Sequence, residues 1–188
     1  MIGASMNVVA GAPSALVATE DSIGGAASFP ILTMLILVPM IGSIVVALTS
    51  KRRPEIVKLI AVMTSVAVAA MSIWMLATFE MGEAGFQFTS QHTWIEQWGI
   101  SYHVGLYGFS FWLIGLTIAV GAASIAYAVR AGRERSRAYY PLMLFLVASL
   151  IGVFSSQDLV LFYAFFEAML IPIYILVGVW GGPNRVKA

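Results

Sequence analysis

Five long apolar segments occupy most of the 188-residue chain and constrain its fold more than any other feature. A helix rises about 1.5 Å per residue, so about 20 residues cross the ~30 Å hydrocarbon layer of a membrane. Because lipid offers backbone groups no hydrogen-bond partners, apolar runs of this length form helices. We therefore predict an all-α membrane protein with about five transmembrane helices, at about residues 29–49, 56–79, 108–129, 139–155 and 159–180.

The composition indicates a chain that is solvated mainly by the lipid bilayer. Only 10% of the residues are charged, against about 25% in a soluble domain, and the net charge of +1 gives no sign of a nucleic-acid partner. The sequence has no cysteine, which excludes thiolate-held iron–sulfur clusters and cysteine-based zinc sites. His92 and His103 are too far apart to indicate a metal pair. We expect neither a metal nor a cofactor in this chain.

The basic residues predict the orientation of the chain in the membrane. If the five helices alternate in direction, all ten Lys and Arg residues lie on one side, which is cytoplasmic by the positive-inside tendency. Residues 1–28, rich in Gly, Ala and Ser, then form a flexible outer tail. Residues 29–182 form the transmembrane domain and residues 183–188 a cytoplasmic end. The basic residues are Lys51, Arg52, Arg53, Lys58, Arg130, Arg133, Arg135, Arg137, Arg185 and Lys187.

The longest outer connection, residues 80–107, shows a pattern of a different kind. Ile100, Tyr102 and Val104 alternate with polar residues in its second half. Such a period of two is typical of a strand with one apolar face. We predict a short β-hairpin-like loop on the outer side, between the second and third helices.

Glu167 lies near the middle of the fifth apolar segment, where a carboxylate costs about 2.5 kcal/mol or more. Tyr163, four residues earlier, and Tyr174, seven residues later, fall on the same helix face. No Lys, Arg or His lies near the middle of any of the five segments. Three explanations remain open: the carboxyl is protonated, it lines a wet cavity, or a cation approaches it from residues outside this chain.

Ionisable groups inside membranes are functional sites by default. We therefore predict that Glu167 handles protons, and we keep a structural hydrogen bond from a protonated carboxyl as the alternative. Tyr163, Tyr174 and Pro172, whose ring predicts a local kink, are the supporting residues. Asp158, just before the fifth segment, is interpreted as the N-cap of that helix.

The stretch DLVLFYAFFEAMLIPIYILVGVWGG, residues 158–182, resembles the fifth transmembrane helix of the antiporter-like subunits of NADH:quinone oxidoreductase, complex I. Within that family, the reading Glu-Ala-Met-Leu-Ile-Pro followed by Tyr174 is most similar to subunit M, called chain 4 in organelles. The stretches LMLFLVASLIGVFSSQ and HVGLYGFSFWLIGLT resemble the fourth and third helices of that subunit. The resemblance covers roughly residues 86–182.

The resemblance implies a proton-translocating membrane-arm subunit of a respiratory enzyme that transfers electrons from NADH to quinone. It implies that Glu167 forms the entry of a proton path with a lysine on a later helix. No redox chemistry and no directly bound soluble substrate are then expected in this chain. NAD, FMN, iron–sulfur clusters and quinone would belong to partner subunits, and other membrane subunits of complex I would be its neighbours. The implied location is the bacterial inner membrane.

Two departures from the family pattern leave other functions open. Tyr107 stands at a position that is usually acidic, and family members continue into further helices that carry the partner lysine. We therefore expect residues 183–188 to mark a truncation point. The alternatives are an antiporter-like subunit of a sodium/proton antiporter or of a membrane-bound hydrogenase, and a truncated membrane scaffold that does not pump protons.

Overall fold

A computed structural model describes residues 30–49, 53–80, 85–95, 100–131 and 136–181. The helices are α1 (Ile31–Leu48), α2 (Pro54–Thr78), α3 (Gly108–Arg130), α4 (Ser136–Ser155) and α5 (Leu159–Trp180), and the strands are β1 (Gln87–Ile95) and β2 (Ile100–Leu106). All five helices are long and apolar enough to cross a membrane. The prediction of an all-α membrane protein with a small outer hairpin is confirmed. The predicted tail 1–28 and the predicted end 183–188 lie outside the described residues.

Helix α4 is the centre of the bundle and contacts each of the other four helices. Of its membrane-crossing residues, 56% are buried, against only 11% in α5. Helix α5 packs mainly against α4 and also touches β2. The fifth helix therefore stands at the edge of the described bundle, with most of its surface uncovered by the other elements.

Small residues allow α4 to approach its neighbours closely. A Cβ atom added at Gly152 of α4 would lie 2.5 Å from the ring of Phe165 of α5. A Cβ added at Gly121 of α3 would lie at the same distance from the Val147 side chain of α4. Since no Cβ atom tolerates so short a contact, glycine at these two positions sets the spacing of the helices.

The buried side chains form two clusters at opposite ends of the bundle. The cluster at the hairpin end includes Leu35, Phe111 and Ile151 and also takes in Val104 and Leu106 of β2. The cluster at the basic end, where Lys58 and Arg130 lie, includes Val57, Ile125 and Tyr140. These two clusters tie α1, α2, α3 and α4 into one unit.

The hairpin is held onto the helices by polar contacts. Strands β1 and β2 pair antiparallel, with His103 opposite Gln91, and a bulge follows Gln87. Phe88, at that bulge, has φ of 54°, a left-handed backbone of the kind that bulges accommodate. The Tyr102 hydroxyl donates to Oγ1 of Thr33 in α1 at 3.2 Å. The hairpin is therefore anchored to the start of the first helix.

The start of α4 differs from what the sequence led us to expect. Helix α4 begins at Ser136, three residues before the predicted span, and includes Pro141 in its second turn. Proline has no N–H to donate to the carbonyl four residues earlier, so α4 lacks one backbone hydrogen bond near its start. Lys58, which falls inside the predicted span 56–79, lies in the second turn of α2, and its ammonium group pairs with Glu55 at 3.2 Å.

Candidate functional site in helix α5

Glu167 is the ninth of the 22 residues of α5. At about 1.5 Å per residue, it lies roughly 12 Å along the axis from the first residue of the helix. That distance puts the carboxyl group inside the hydrocarbon layer if α5 crosses the membrane. Glu167 thus lies well inside α5 and away from both ends of the helix.

The face of α5 that carries Glu167 is exposed in the described bundle. Tyr163 and Tyr174 share this face and are 60% and 82% exposed, and Glu167 itself is exposed. Leu161 and Pro172 lie on the other side of the helix and are buried. No described helix or strand therefore covers the carboxylate.

Tyr163 lies one helical turn before Glu167 on the same face, so its hydroxyl is near the Glu167 carboxylate. This pairing joins two of the predicted site residues. Tyr174, a third, lies two turns further along the same face, and Pro172 lies on the packed face. The structure therefore brings Tyr163 to Glu167 and leaves Tyr174 and Pro172 apart from the carboxylate.

Positive groups in the described part of the chain lie away from Glu167. Lys58 is engaged with Glu55 in α2, and Arg130 is the last residue of α3. Both stand at the basic end of the bundle rather than at the middle of a helix. Within residues that the structure describes, the Glu167 carboxylate has a tyrosine neighbour and no cation partner.

Asp158 forms the N-cap of α5, as the sequence predicts. Its Oδ1 atom accepts hydrogen bonds from the backbone N–H groups of Val160, at 2.8 Å, and Leu161, at 3.2 Å. Its Oδ2 atom accepts a third, at 3.4 Å, from the N–H of Ser101 in β2. These bonds, the Leu161 bond first, hold the pKa of the Asp158 carboxyl below its usual range, and the nearby His103 side chain adds to the effect.

The link from Asp158 to Ser101 is a contact that sequence reasoning missed. Residues 101 and 158 are far apart in the chain, and an aspartate before a helix is fully explained as a cap. The adjoining loop adds further bonds to the same strand. The Gln157 backbone N–H donates to the His103 carbonyl at 2.8 Å, and its side-chain amide donates to the Gly105 carbonyl at 3.2 Å.

The remaining candidate polar residues have local roles. The hydroxyls of Thr117, Ser149 and Ser155 each donate to a carbonyl four residues earlier in the same helix. Tyr107, at the start of α3, is 55% exposed and lies against Phe86. The described residues contain no cluster of three or more His, Asp or Glu that could hold a metal ion.

Comparison with known sequences gives several relatives, although no protein-family model matches the chain. The chain is 34% identical over 164 residues to NADH-quinone oxidoreductase subunit M of Rickettsia conorii, covering 85% of the chain and 33% of the relative. It is 33% identical over 159 residues to F(420)H(2) dehydrogenase subunit M of Methanosarcina mazei, covering 85% of the chain and 32% of the relative. The chain spans about a third of the length of the curated relatives it matches.

Solved structures show the same fold. A chain of the respiratory complex I of Thermus thermophilus matches with a TM-score of 0.63 and 24% identity, over 83% of this chain and 30% of that one. A chain of the Mrp complex of Dietzia matches with a TM-score of 0.65 and 16% identity, over 83% of this chain and 16% of that one. The chain thus shares its fold with chains of these two membrane complexes.

The five-helix bundle with a buried fourth helix and a carboxylate in the fifth defines an integral membrane protein with the fold of membrane-complex subunits. Within that class, the sequence matches show that the chain belongs to the family of NADH-quinone oxidoreductase subunit M and corresponds to a five-helix portion of it.

Proposed function

We propose that the chain contributes to proton translocation in a membrane-bound oxidoreductase that couples electron transfer from NADH to quinone reduction. The observation that carries the proposal is the Glu167 carboxylate, which lies at mid-helix on a face of α5 that no described element covers. A carboxylate in such a place requires either a proton or a positive partner, because lipid does not solvate its charge. The relatives are subunits of oxidoreductases, which supports this setting.

The proposed chemistry is a change of protonation at Glu167. The Tyr163 hydroxyl, one turn away on the same face, is the nearest polar side chain that the described bundle offers to the carboxylate. A cation that approaches the uncovered face would favour the charged form and release a proton. When the cation moves away, the carboxylate would take up a proton again. Glu167 is then a proton-carrying residue, and Tyr163 adjusts its proton affinity.

The oxidoreductase itself would be assembled from other chains. We propose that NAD, FMN, iron–sulfur clusters and quinone are bound by partner subunits, while this chain contacts lipid and neighbouring membrane subunits in a bacterial inner membrane. The cation that faces Glu167 would come from a helix outside the described residues. Pro172 and Tyr174 would shape the same stretch of α5 without touching the carboxylate.

The test is donor-driven proton pumping in membranes of the cells that make the chain, with Glu167→Gln compared to the parent. Gln is nearly isosteric and is easier to bury, so we expect the complex to assemble normally. Proton pumping and turnover should then fall sharply. Glu55→Gln is the matched control, because it makes the same chemical change at an exposed position in the first turn of α2.

An unchanged rate of pumping in assembled Glu167→Gln would overturn the proposal. It would mean that the carboxyl is a structural hydrogen-bonding group and that the chain acts as a membrane scaffold. Membranes that lack the chain would then be expected to assemble the complex poorly.

A second candidate is sodium/proton exchange in an antiporter assembly, which the uncovered Glu167 carboxylate would also suit. An uncovered carboxylate is suited to bind either a proton or a small cation. Vesicles given a pH gradient distinguish the two functions. Dissipation of the gradient that depends on added sodium and needs no electron donor would favour the exchanger.

A further inference from the structure

We infer that Asp158 is a positioning residue for Glu167: its carboxylate ties the first turn of α5 to strand β2 and thereby fixes which way the Glu167 face points. The contacts that carry this inference are the cap bonds to Val160 and Leu161 and the bond from the Ser101 N–H. The effect on proton transfer rests on the proposed function. The effect on the orientation of α5 does not.

Helix α5 needs the bond between Asp158 and Ser101 because its packing contacts only weakly determine its rotation about its own axis. Only 11% of its membrane-crossing residues are buried, and its main helical neighbour is α4. Exposed apolar residues lie on several sides of it, including Phe162, Ile171 and Val179, so lipid accepts any of its faces. The close contact of Phe165 with Gly152 sets the distance between the helices. A directional hydrogen bond at the start of the helix adds the constraint on rotation that apolar packing lacks.

Strand β2, whose Ser101 N–H donates to Asp158, is itself fixed. Gln157 makes two hydrogen bonds to β2, and Ser156 forms a bridge with Val104. Val104 is fully buried in the cluster at the hairpin end, and the Tyr102 hydroxyl donates to Thr33 of α1. The hairpin therefore connects the start of α5 to the start of α1, and Asp158 is attached to a rigid base.

The geometry of the helix determines where Asp158 lies relative to Glu167. Successive residues turn by about 100°, so the nine residues from Asp158 to Glu167 make about two and a half turns. Asp158 consequently lies on the packed side of α5, with Leu161 and Phe165, and Glu167 lies on the opposite side. Because a helix is stiff, a rotation of its first turn carries Glu167 with it.

The variant Asp158→Asn removes the bond to Ser101 while it keeps the N-cap bonds. Asn is as good an N-cap as Asp, so the bonds to Val160 and Leu161 remain. Its amide NH₂ replaces Oδ2 and is unable to accept from the Ser101 N–H. Asp158→Ala removes both functions. Tyr102→Phe is the matched control, because it breaks the hairpin bond to α1 and leaves the tie to α5 in place.

Rotation of α5 is measured by the distance between two nitroxide labels in the assembled membrane complex. The chain has no cysteine, so Leu59→Cys in α2 and Val177→Cys in α5 give two defined labels within it. Both positions are exposed, and Val177 lies about 15 Å from Glu167 along the axis of α5. A helix with side chains is about 10 Å wide, so rotation by one residue moves a label by roughly 5 Å or more. Pulsed electron paramagnetic resonance resolves such a shift.

We expect Asp158→Asn and Asp158→Ala to shift or broaden this distance, whereas Tyr102→Phe leaves it as in the parent. We also expect fewer protons per electron in the two Asp158 variants at equal assembly. A merely structural defect would instead lower the amount of complex and leave that ratio constant. An unchanged distance in Asp158→Asn overturns the inference, whatever happens to pumping. A shifted distance with full pumping also overturns the inference, provided that Glu167→Gln abolishes pumping. If Glu167→Gln has no effect, the proposed function fails and the distance alone decides whether Asp158 orients α5.

Discussion

Phe165 of α5 lies directly over Gly152 of α4, so close that a single added carbon at Gly152 would meet the aromatic ring at 2.5 Å. This contact sets the separation of the helix that carries the candidate carboxylate from the helix at the centre of the bundle. It is an apolar contact between large and small residues, as is common where membrane helices approach closely.

Substitution of Gly152 by alanine is predicted to destabilise the chain by about 1–3 kcal/mol, because the added methyl group overpacks the contact with Phe165. Thermal unfolding in detergent measures the change. Gly115→Ala in α3 is the control, because a Cβ there meets nothing within 4 Å. The control should be neutral or stabilising by up to about 1 kcal/mol, since alanine favours a helix over glycine. Equal effects of the two substitutions would contradict the close contact.

Removal of the Ser43 hydroxyl is predicted to loosen the joint between α1 and α4. The hydroxyl is buried and donates to the carbonyl of Pro141 at 2.7 Å, across 98 residues of sequence. Ser43→Ala should lower the free energy of unfolding by about 1 kcal/mol, as for a typical buried hydrogen bond. Thr49→Ala, which removes an exposed hydroxyl bonded within its own helix, should have a smaller effect in the same unfolding experiment.

Loss of the Tyr163 hydroxyl is predicted to slow donor-driven proton pumping. Tyr163→Phe keeps the ring and removes the hydroxyl that lies near the Glu167 carboxylate. Because Tyr163 is 60% exposed, we expect a loss of about tenfold or less. Tyr127→Phe, on the exposed side of α3, makes the same chemical change away from the site. A similar loss in both variants would argue against a specific role for Tyr163.

The Asp158 carboxylate is predicted to make the stability of the chain depend on acid pH. Its pKa in the folded chain lies below the ordinary value of 3.8, because the Leu161, Ser101 and Val160 N–H groups stabilise the charged form. A lowered pKa contributes stability that is complete above the unfolded pKa and is lost as the pH falls through the folded pKa. Thermal unfolding from about pH 2 to 7 should therefore show the parent losing an advantage over Asp158→Asn below about pH 4. A difference that stays constant over this range would contradict the prediction.

Much of the fold follows from the sequence because the bilayer leaves few alternatives. Apolar runs of sufficient length specify five helices, and the alternation of Ile100, Tyr102 and Val104 specifies a strand. The mid-helix position of Glu167 follows from counting residues along the fifth apolar segment. The cap at Asp158 follows from its place just before an apolar run.

The arrangement of the helices does not follow in the same way. In soluble proteins a polar face marks the outside of a helix, whereas the lipid-facing and packed sides of a membrane helix such as α4 are both mainly apolar. The central place of α4 depends on contacts such as Gly121 with Val147, which join distant parts of the chain. The bond from Ser101 to Asp158 likewise depends on how the hairpin folds back, so no local pattern predicts it.

Because one side of α5 is uncovered, the proton affinity proposed for Glu167 would depend on two surfaces. On the proposed function, this bundle supplies the carboxylate, its tyrosine and its direction, and the adjoining surface would supply the charge and the exclusion of water that control proton binding. Changes in that adjoining surface could therefore retune the working pH or ion preference of the site without altering any of these 188 residues. A single scaffold of this kind is suited to reuse in machines driven by different energy sources.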